Sequence, residues 1–141
     1  MRIVLDTNVL VAGLLSPYGP PAQVLRLVLS GNAQLCFDMR ILTEYRQVLA
    51  RPKFGFEKQS VTDLVDFLEE TGDSTTPTPW GLDLPDLDDA MFLEVARASG
   101  AAYLVTGNLK HFPVRMRTGV LVVTPSVFID QPEVRELSSR D

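Results

Sequence analysis

Apolar and polar residues follow two alternating patterns along the chain. Short apolar runs predict buried strands at residues 2–5, 34–37, 102–106 and 120–123. Apolar residues that recur every three or four positions predict helices at residues 21–30, 39–51, 59–71, 88–98 and 125–130. A loop rich in Thr, Ser and Pro precedes the fourth helix, with a short edge strand expected at 74–77. The apolar run at 9–15 is assigned to neither class. Alternating strands and helices predict an α/β fold with a parallel sheet and helices on both faces.

Polar residues follow two of the predicted strands at their carboxyl ends. Asp6 ends the first strand, and Asn108 comes just after the strand at 102–106. Ligands of parallel α/β sheets bind beyond the carboxyl ends of the strands, where the strand order reverses. A buried strand seldom ends in an acid that has no partner. We therefore expect Asp6 and Asn108 to face a binding site.

Further acids occur where apolar packing would be expected to dominate. Glu44 flanks the apolar face of its helix, and Asp86, Asp88 and Asp89 crowd the start of another. Each has a structural interpretation as well. Asp86 or Asp88 suits a helix N-cap, with Asp89 completing a capping box, and Glu44 suits a solvated edge. Asn108 suits a turn.

Taken together, the acids favour a metal site. Like-charged carboxylates that converge at about 4 Å repel each other by a few kcal/mol, unless a cation lies between them. Oxygen ligands select Mg²⁺ or Mn²⁺. Such ions activate water and stabilise the oxygens of a phosphoryl displacement. The acids therefore predict a metal-dependent phosphodiesterase.

Charge and composition exclude several other classes of function. The 141 residues include 13 Lys and Arg against 18 Asp and Glu, and this net charge of −5 argues against non-specific coating of nucleic acid. A bound cation reverses the local charge, so an enzyme acting on nucleic acid stays compatible with it. One cysteine, Cys36, and one histidine, His111, exclude a Cys/His zinc site within one chain. With no signal peptide and no apolar membrane span, we expect a cytoplasmic protein without membrane contact.

Four motifs in order make the chain recognisable. The segments IVLDTNVLVAGLLS, TEYRQVLARPKF, DLDDAMFLEVARASGAAYLVTGNLKHFP and VLVVTPSVFID resemble the PIN-domain family, and within it the toxin components of bacterial toxin–antitoxin systems. The similarity covers about residues 2–130. It implies one PIN domain over 1–130, followed by a polar tail over 131–141 that we expect to be frayed. It also implies a three-layer α/β/α fold with a central parallel sheet.

The resemblance further implies a Mg²⁺- or Mn²⁺-dependent endoribonuclease. Its partners would be an RNA substrate, a cognate antitoxin protein and a second copy in a homodimer. The residues that match the family motifs are Asp6, Glu44 and Asp89 as the three acids, Asp86 as a further acid, Asn108 where many members have Asp, and Thr106 and Asn8 as supporting residues.

The roles implied for these residues differ. Asp6 would be a direct metal ligand, while Asp89 and Glu44 would bind the metal directly or through water. Asn108 and Asp86 would hold metal-bound waters or a second ion. Because Asn offers an oxygen without a charge, the use of one or two ions stays open.

The remaining candidates are cations near the expected site. Lys110, Arg51 and Lys53 could hold the RNA backbone, although each also suits a solvated surface. His111 is interpreted as a packing or hydrogen-bonding loop residue rather than a general base.

Two other enzyme classes and one non-catalytic class are alternatives. A receiver domain would need paired acids before the first helix, which are absent. A haloacid dehalogenase-type hydrolase would need a second Asp two residues after Asp6, where this chain has Asn8. A catalytically weak PIN-fold scaffold for protein interaction or RNA binding is the other alternative, against which the retained acids argue.

Overall fold

The computed structural model describes residues 1–77 and 87–139, and these residues form one parallel sheet flanked by helices. Its five strands are β1 (Arg2–Leu5), β2 (Gln34–Phe37), β3 (Asp73–Ser74), β4 (Tyr103–Val105) and β5 (Val122–Val123). They lie in the order β3-β2-β1-β4-β5, and every neighbouring pair is parallel. From β1 the chain adds β2 and β3 on one side of the sheet, and then β4 and β5 on the other. The strand order therefore reverses between β1 and β4, which is where such folds place a ligand.

The helices of the described residues cover the sheet. They are α1 (Thr7–Leu15), α2 (Pro20–Leu29), α3 (Met39–Leu49), α4 (Lys58–Thr71), α5 (Ala90–Ser99), α6 (Pro125–Ile129) and α7 (Pro132–Ser138). The five predicted helices are thus confirmed to within a few residues, and α5 is preceded by a 3₁₀ turn over Leu87–Asp89. None of the described helices is both long and apolar enough to cross a membrane.

The sheet is covered on both faces. Ile3, Val4 and Leu5 of the central strand are each fully buried, and successive side chains of a strand point to opposite faces. Both faces of β1 must therefore be packed, as in a parallel sheet between two helical layers. The predicted three-layer α/β/α fold is confirmed.

Helix α1 is the element that the hydrophobic pattern does not reveal. Its residues are apolar on most sides because it packs against both α2 and α3, so it lacks a polar face. Gly13 allows the close contact with α2, since a Cβ there would lie 3.0 Å from the carbonyl oxygen of Pro21. The helix starts one residue after Asp6, so this carboxylate sits at a strand–helix junction.

The expectation of a frayed tail over 131–141 is wrong for residues 132–138. They form α7, in which Val134 is fully buried. The hydroxyl of Tyr103 in β4 donates a hydrogen bond to Glu133, and this bond raises the pKa of Tyr103 to about 12. The helix is therefore attached to the sheet by packing and by a polar contact.

Candidate active site

Asp6 occupies the carboxyl end of the central strand. Its side chain is only 5% exposed, and it makes no capping bond to α1 although it stands at the N-cap position. The carboxylate turns instead toward β4, where the Thr106 hydroxyl donates to it at 2.8 Å. Burial raises the pKa of Asp6, against the opposing effects of the Thr106 hydrogen bond and of nearby His111. An ionised Asp6 is therefore a carboxylate whose environment favours an added positive charge.

Thr106 and Asn8 hold Asp6 in place from two sides. Thr106 is fully buried and also accepts a hydrogen bond at 3.0 Å from the backbone N–H of Asn108. The Asn8 amide nitrogen lies 3.3 Å from Asp6, while its oxygen accepts from the Gly107 N–H at 2.9 Å. A Cβ at Gly107 would lie 3.2 Å from that oxygen, so a glycine permits this close approach. The loops after β1 and β4 are thereby joined at the site.

Asp89 approaches Asp6 from the start of α5. It is 8% exposed and stands at the N-cap position, where its side chain makes no capping bond. Capping of α5 itself therefore does not explain Asp89, while the capping box with Asp86 involves a residue outside the described ones. One side-chain atom each from Asp6, Asp89 and His111 lie within 4.8 Å of one another. The sequence did not place His111 in this group.

Glu44 lies beside this group without belonging to it. It is half-buried on α3 and accepts a hydrogen bond from the hydroxyl of Thr7, the residue after Asp6. Burial, together with the charges of Asp6 and Glu44, raises the pKa of the Tyr45 phenol well above its ordinary value. Both carboxylates therefore act on the same buried hydroxyl, and a solvated edge does not describe Glu44.

An open pocket of about 630 Å³ lies next to Glu44. Its lining residues are Met39, Arg40, Thr43, Glu44, Gln47, Asp88, Ala90 and Met91. Arg40, which the sequence did not single out, bonds to Asp38 at 2.6 Å and to the buried Glu94 at 2.8 Å. Its guanidinium is thus a fixed cation at the pocket, positioned at the start of α3.

The remaining predicted residues have separate surroundings. Asp86 lies outside the described residues. The Asn108 side chain contacts the Lys110 backbone and the His111 ring, and Lys110 itself is exposed next to them. Arg51 and Lys53 follow the C-terminal end of α3, with the Lys53 ammonium 5.1 Å from the ring centre of Phe54.

His111 and Arg40 were missed because no local pattern identifies them. His111 follows Asn108 by three residues, yet its contact with Asp89 depends on how α5 and β4, which lie between them in the sequence, pack together. Arg40 reads as an ordinary helix-surface charge until its two carboxylate partners are known.

The donor set fits a hard divalent cation. Asp6 and Asp89 supply carboxylate oxygens, the ligand type preferred by Mg²⁺ and Mn²⁺. The imidazole of His111 is the third group close enough to act as a ligand or as a hydrogen-bond donor. A cation among these groups would offset the repulsion between two buried carboxylates.

Comparisons with known proteins concern the family and the fold of the chain. The PIN domain family model matches residues 2–110, a range that contains Asp6, Glu44, Asp89 and Asn108. No curated protein matches the chain.

Two solved structures share the fold. VapBC2 from Rickettsia felis, bound to a DNA fragment from its promoter, is 18% identical with a TM-score of 0.59, over 88% of this chain and 98% of that one. VapBC-1 from nontypeable Haemophilus influenzae is 18% identical with a TM-score of 0.57, over 89% and 99%.

Proposed function

The chain belongs to the PIN domain family, and on that premise we propose that it is an endoribonuclease dependent on Mg²⁺ or Mn²⁺. The observation that carries this proposal is the approach of Asp6 and Asp89 to each other at the carboxyl ends of the strands. Two buried carboxylates held this close have a physical reason to bind a cation. Phosphodiester hydrolysis is the chemistry that such an oxygen-ligated ion supports best.

The residues of the site would have different roles. Asp6 and Asp89 would hold the ion, and Glu44 would reach it through water. An ion held by these residues would supply a water of lowered pKa and would stabilise negative charge on the phosphate oxygens. Thr106 and Asn8 keep the Asp6 carboxylate oriented through their hydrogen bonds at 2.8 and 3.3 Å. The predicted roles of Asp86 and Asn108 in holding further waters or a second ion belong to the same proposal.

RNA would reach the site along the pocket beside Glu44. Arg40 at this pocket and the exposed Lys110, whose backbone contacts Asn108, are the cations that would meet the RNA backbone. Contacts of this kind position a phosphate backbone without reading its sequence.

We propose further that the protein is the toxin of a toxin–antitoxin pair. Two solved structures that share its fold are VapBC assemblies, which supports an antitoxin as its protein partner. Co-expression with the product of an adjacent gene should yield a complex that restores growth and blocks cleavage. Light scattering of the isolated chain should give the mass of a homodimer, and a monomer mass would overturn that part.

The nuclease proposal is tested by RNA cleavage in the presence and absence of Mn²⁺. Wild type should cleave only with the ion, and Asp6→Asn or Asp89→Asn should lower the rate roughly 100-fold or more, as expected for loss of charge stabilisation at a reacting phosphate. Asp63→Asn is the matched control, because it makes the same change on the exposed face of α4. Equal cleavage by all four proteins would contradict the proposal, and metal-independent RNA binding without cleavage would favour the scaffold alternative.

A further inference from the structure

The Asn108 side chain contacts two neighbours at once. Its oxygen accepts a hydrogen bond from the backbone N–H of Lys110 at 3.2 Å, and its amide nitrogen lies 3.0 Å from Nε2 of His111. A backbone N–H can only donate, so the atom that faces Lys110 has to be the amide oxygen. The amide nitrogen, which can only donate, therefore faces the imidazole ring.

This orientation decides which ring nitrogen of His111 carries the proton. Nε2 has to accept from the Asn108 amide, so it holds no proton and the ring is the Nδ1–H tautomer. Nδ1 lies 3.4 Å from Oδ2 of Asp89. We propose that Asn108 is a positioning residue, which fixes this tautomer so that the ring nitrogen facing Asp89 carries a proton and is not a metal ligand.

The consequence for the site rests on the nuclease proposal. A ring nitrogen that carries a proton has no lone pair for a metal, so the ion would be held by oxygen atoms of Asp6 and Asp89. The protonated Nδ1 lies 3.4 Å from Oδ2 of Asp89 without a hydrogen bond, and its positive end would favour the other oxygen of Asp89 for the ion, as groups around a metal ligand commonly do. Asn108 would thus act on the ion through His111 and Asp89.

Nuclear magnetic resonance of the imidazole nitrogens tests the tautomer directly. His111 is the one histidine of the chain, so its long-range ¹H–¹⁵N signals need no further assignment. In protein freed of metal with a chelator, Nδ1 should have the shift of a protonated ring nitrogen and Nε2 that of an unprotonated one. Histidine side chains without such a partner favour the opposite tautomer. A protonated Nε2 in wild type would overturn the inference.

The variant Asn108→Asp tests the cause. The new carboxylate keeps an oxygen for the Lys110 N–H and presents a second oxygen to Nε2, so Nε2 should gain a proton. Asn32→Asp adds the same charge before β2, at the amino end of the sheet, and should leave the ring unchanged. An unprotonated Nε2 in Asn108→Asp, or the same change in the Asn32→Asp control, would overturn the role of Asn108.

Mn²⁺ titration tests whether His111 contributes to the affinity of the site for the ion. His111→Ala should weaken Mn²⁺ binding about tenfold, as for loss of a group that orients a metal ligand. Unchanged affinity would overturn the positioning role. If wild type binds no Mn²⁺ at all, the nuclease proposal and the role toward an ion both fail, whereas the tautomer result would stand by itself.

Discussion

At the scale of single residues, Asp6 is held firmly but its charge is only partly compensated. The carboxylate is 5% exposed and receives the Thr106 hydroxyl at 2.8 Å. Burial still prevails and raises its pKa. A buried carboxylate of this kind lowers the stability of the folded protein at neutral pH, but it also provides a site that a cation can occupy.

The first prediction concerns Asp6→Asn without metal. The folded-state pKa of Asp6 lies above its ordinary value of 3.8. In the pH range between the unfolded-state and folded-state pKa values, the folded protein therefore binds more protons than the unfolded chain. Stability therefore falls as the pH rises through it, and the loss persists at neutral pH. In chelator, Asp6→Asn should melt about 3 °C above wild type at neutral pH, corresponding to about 1 kcal/mol. The difference should shrink toward about pH 4, and a lower melting temperature for the variant at neutral pH would contradict this account.

Thr106→Val gives the second prediction at this scale. Valine keeps the buried shape but removes the donor to Asp6 and the acceptor for the Asn108 N–H. We expect unfolding in denaturant to show a loss of about 2 kcal/mol, since two buried polar groups lose a partner. Thr106→Ser keeps the hydroxyl and should retain most of the stability. If valine were as stable as serine, the hydroxyl would have no part in holding the site.

At the scale of elements, a buried hydroxyl joins α3 to the central strand. Tyr45 is fully buried and donates to the carbonyl of Leu5 at 2.6 Å, one residue before Asp6. The bond sets the helix that carries Glu44 against the strand that carries Asp6. Burial raises the pKa of this phenol well above its ordinary value, so it stays a donor.

Tyr45→Phe should therefore loosen the contact between α3 and β1. We expect a loss of about 1–2 kcal/mol in unfolding free energy, because the Leu5 carbonyl keeps no side-chain donor at this point. Hydrogen exchange should show faster opening of α3 than of α2. If both helices keep the protection that they have in wild type, the hydroxyl does not set the contact between α3 and β1.

The elements also show how far sequence reasoning reaches. Residues 3–5 and 35–37 are apolar because both sheet faces are covered, and the predicted strands at 2–5 and 34–37 have those bounds in the structure. Asp6 and Asn108 follow strands and so were recognisable as rim residues. Helix α1 was not recognisable, because a helix packed on several sides lacks the periodicity of a half-exposed one.

Contacts between distant segments set a second limit. Helix α7 has a polar sequence with only Val134 fully buried, so its docking could not be read from composition. His111 joins Asp89 through tertiary structure alone. Sequence motifs located the acids, while the residue that faces them and the orientation of its ring required coordinates.

At the scale of the whole molecule, the net charge is negative, as is that of RNA. A net charge of −5 repels a polyanion, so the proposed binding of RNA would depend on a few local cations. Lys110 is adjacent to the site through Asn108 and His111, whereas Arg51 and Lys53 lie past the end of α3.

Lys110→Gln should weaken RNA binding and reduce its salt dependence. Loss of one phosphate contact lowers the slope of log affinity against log salt by about 0.7 for single-stranded RNA. Affinities measured over a salt series, with Asp6→Asn as the common background to prevent cleavage, provide this slope. Lys53→Gln should have a smaller effect, and a larger one there would place the RNA path along the end of α3 instead.

The most direct test of the account is thermal unfolding with and without millimolar Mn²⁺. An ion that binds only the folded state must stabilise it, by about 2.7 kcal/mol when its concentration is 100 times the dissociation constant. We predict that Mn²⁺ raises the melting temperature of wild type and of the surface control Asp63→Asn, but not that of Asp6→Asn or Asp89→Asn. A rise of the same size in all four proteins, or in none, would contradict the claim that these two acids form a metal site.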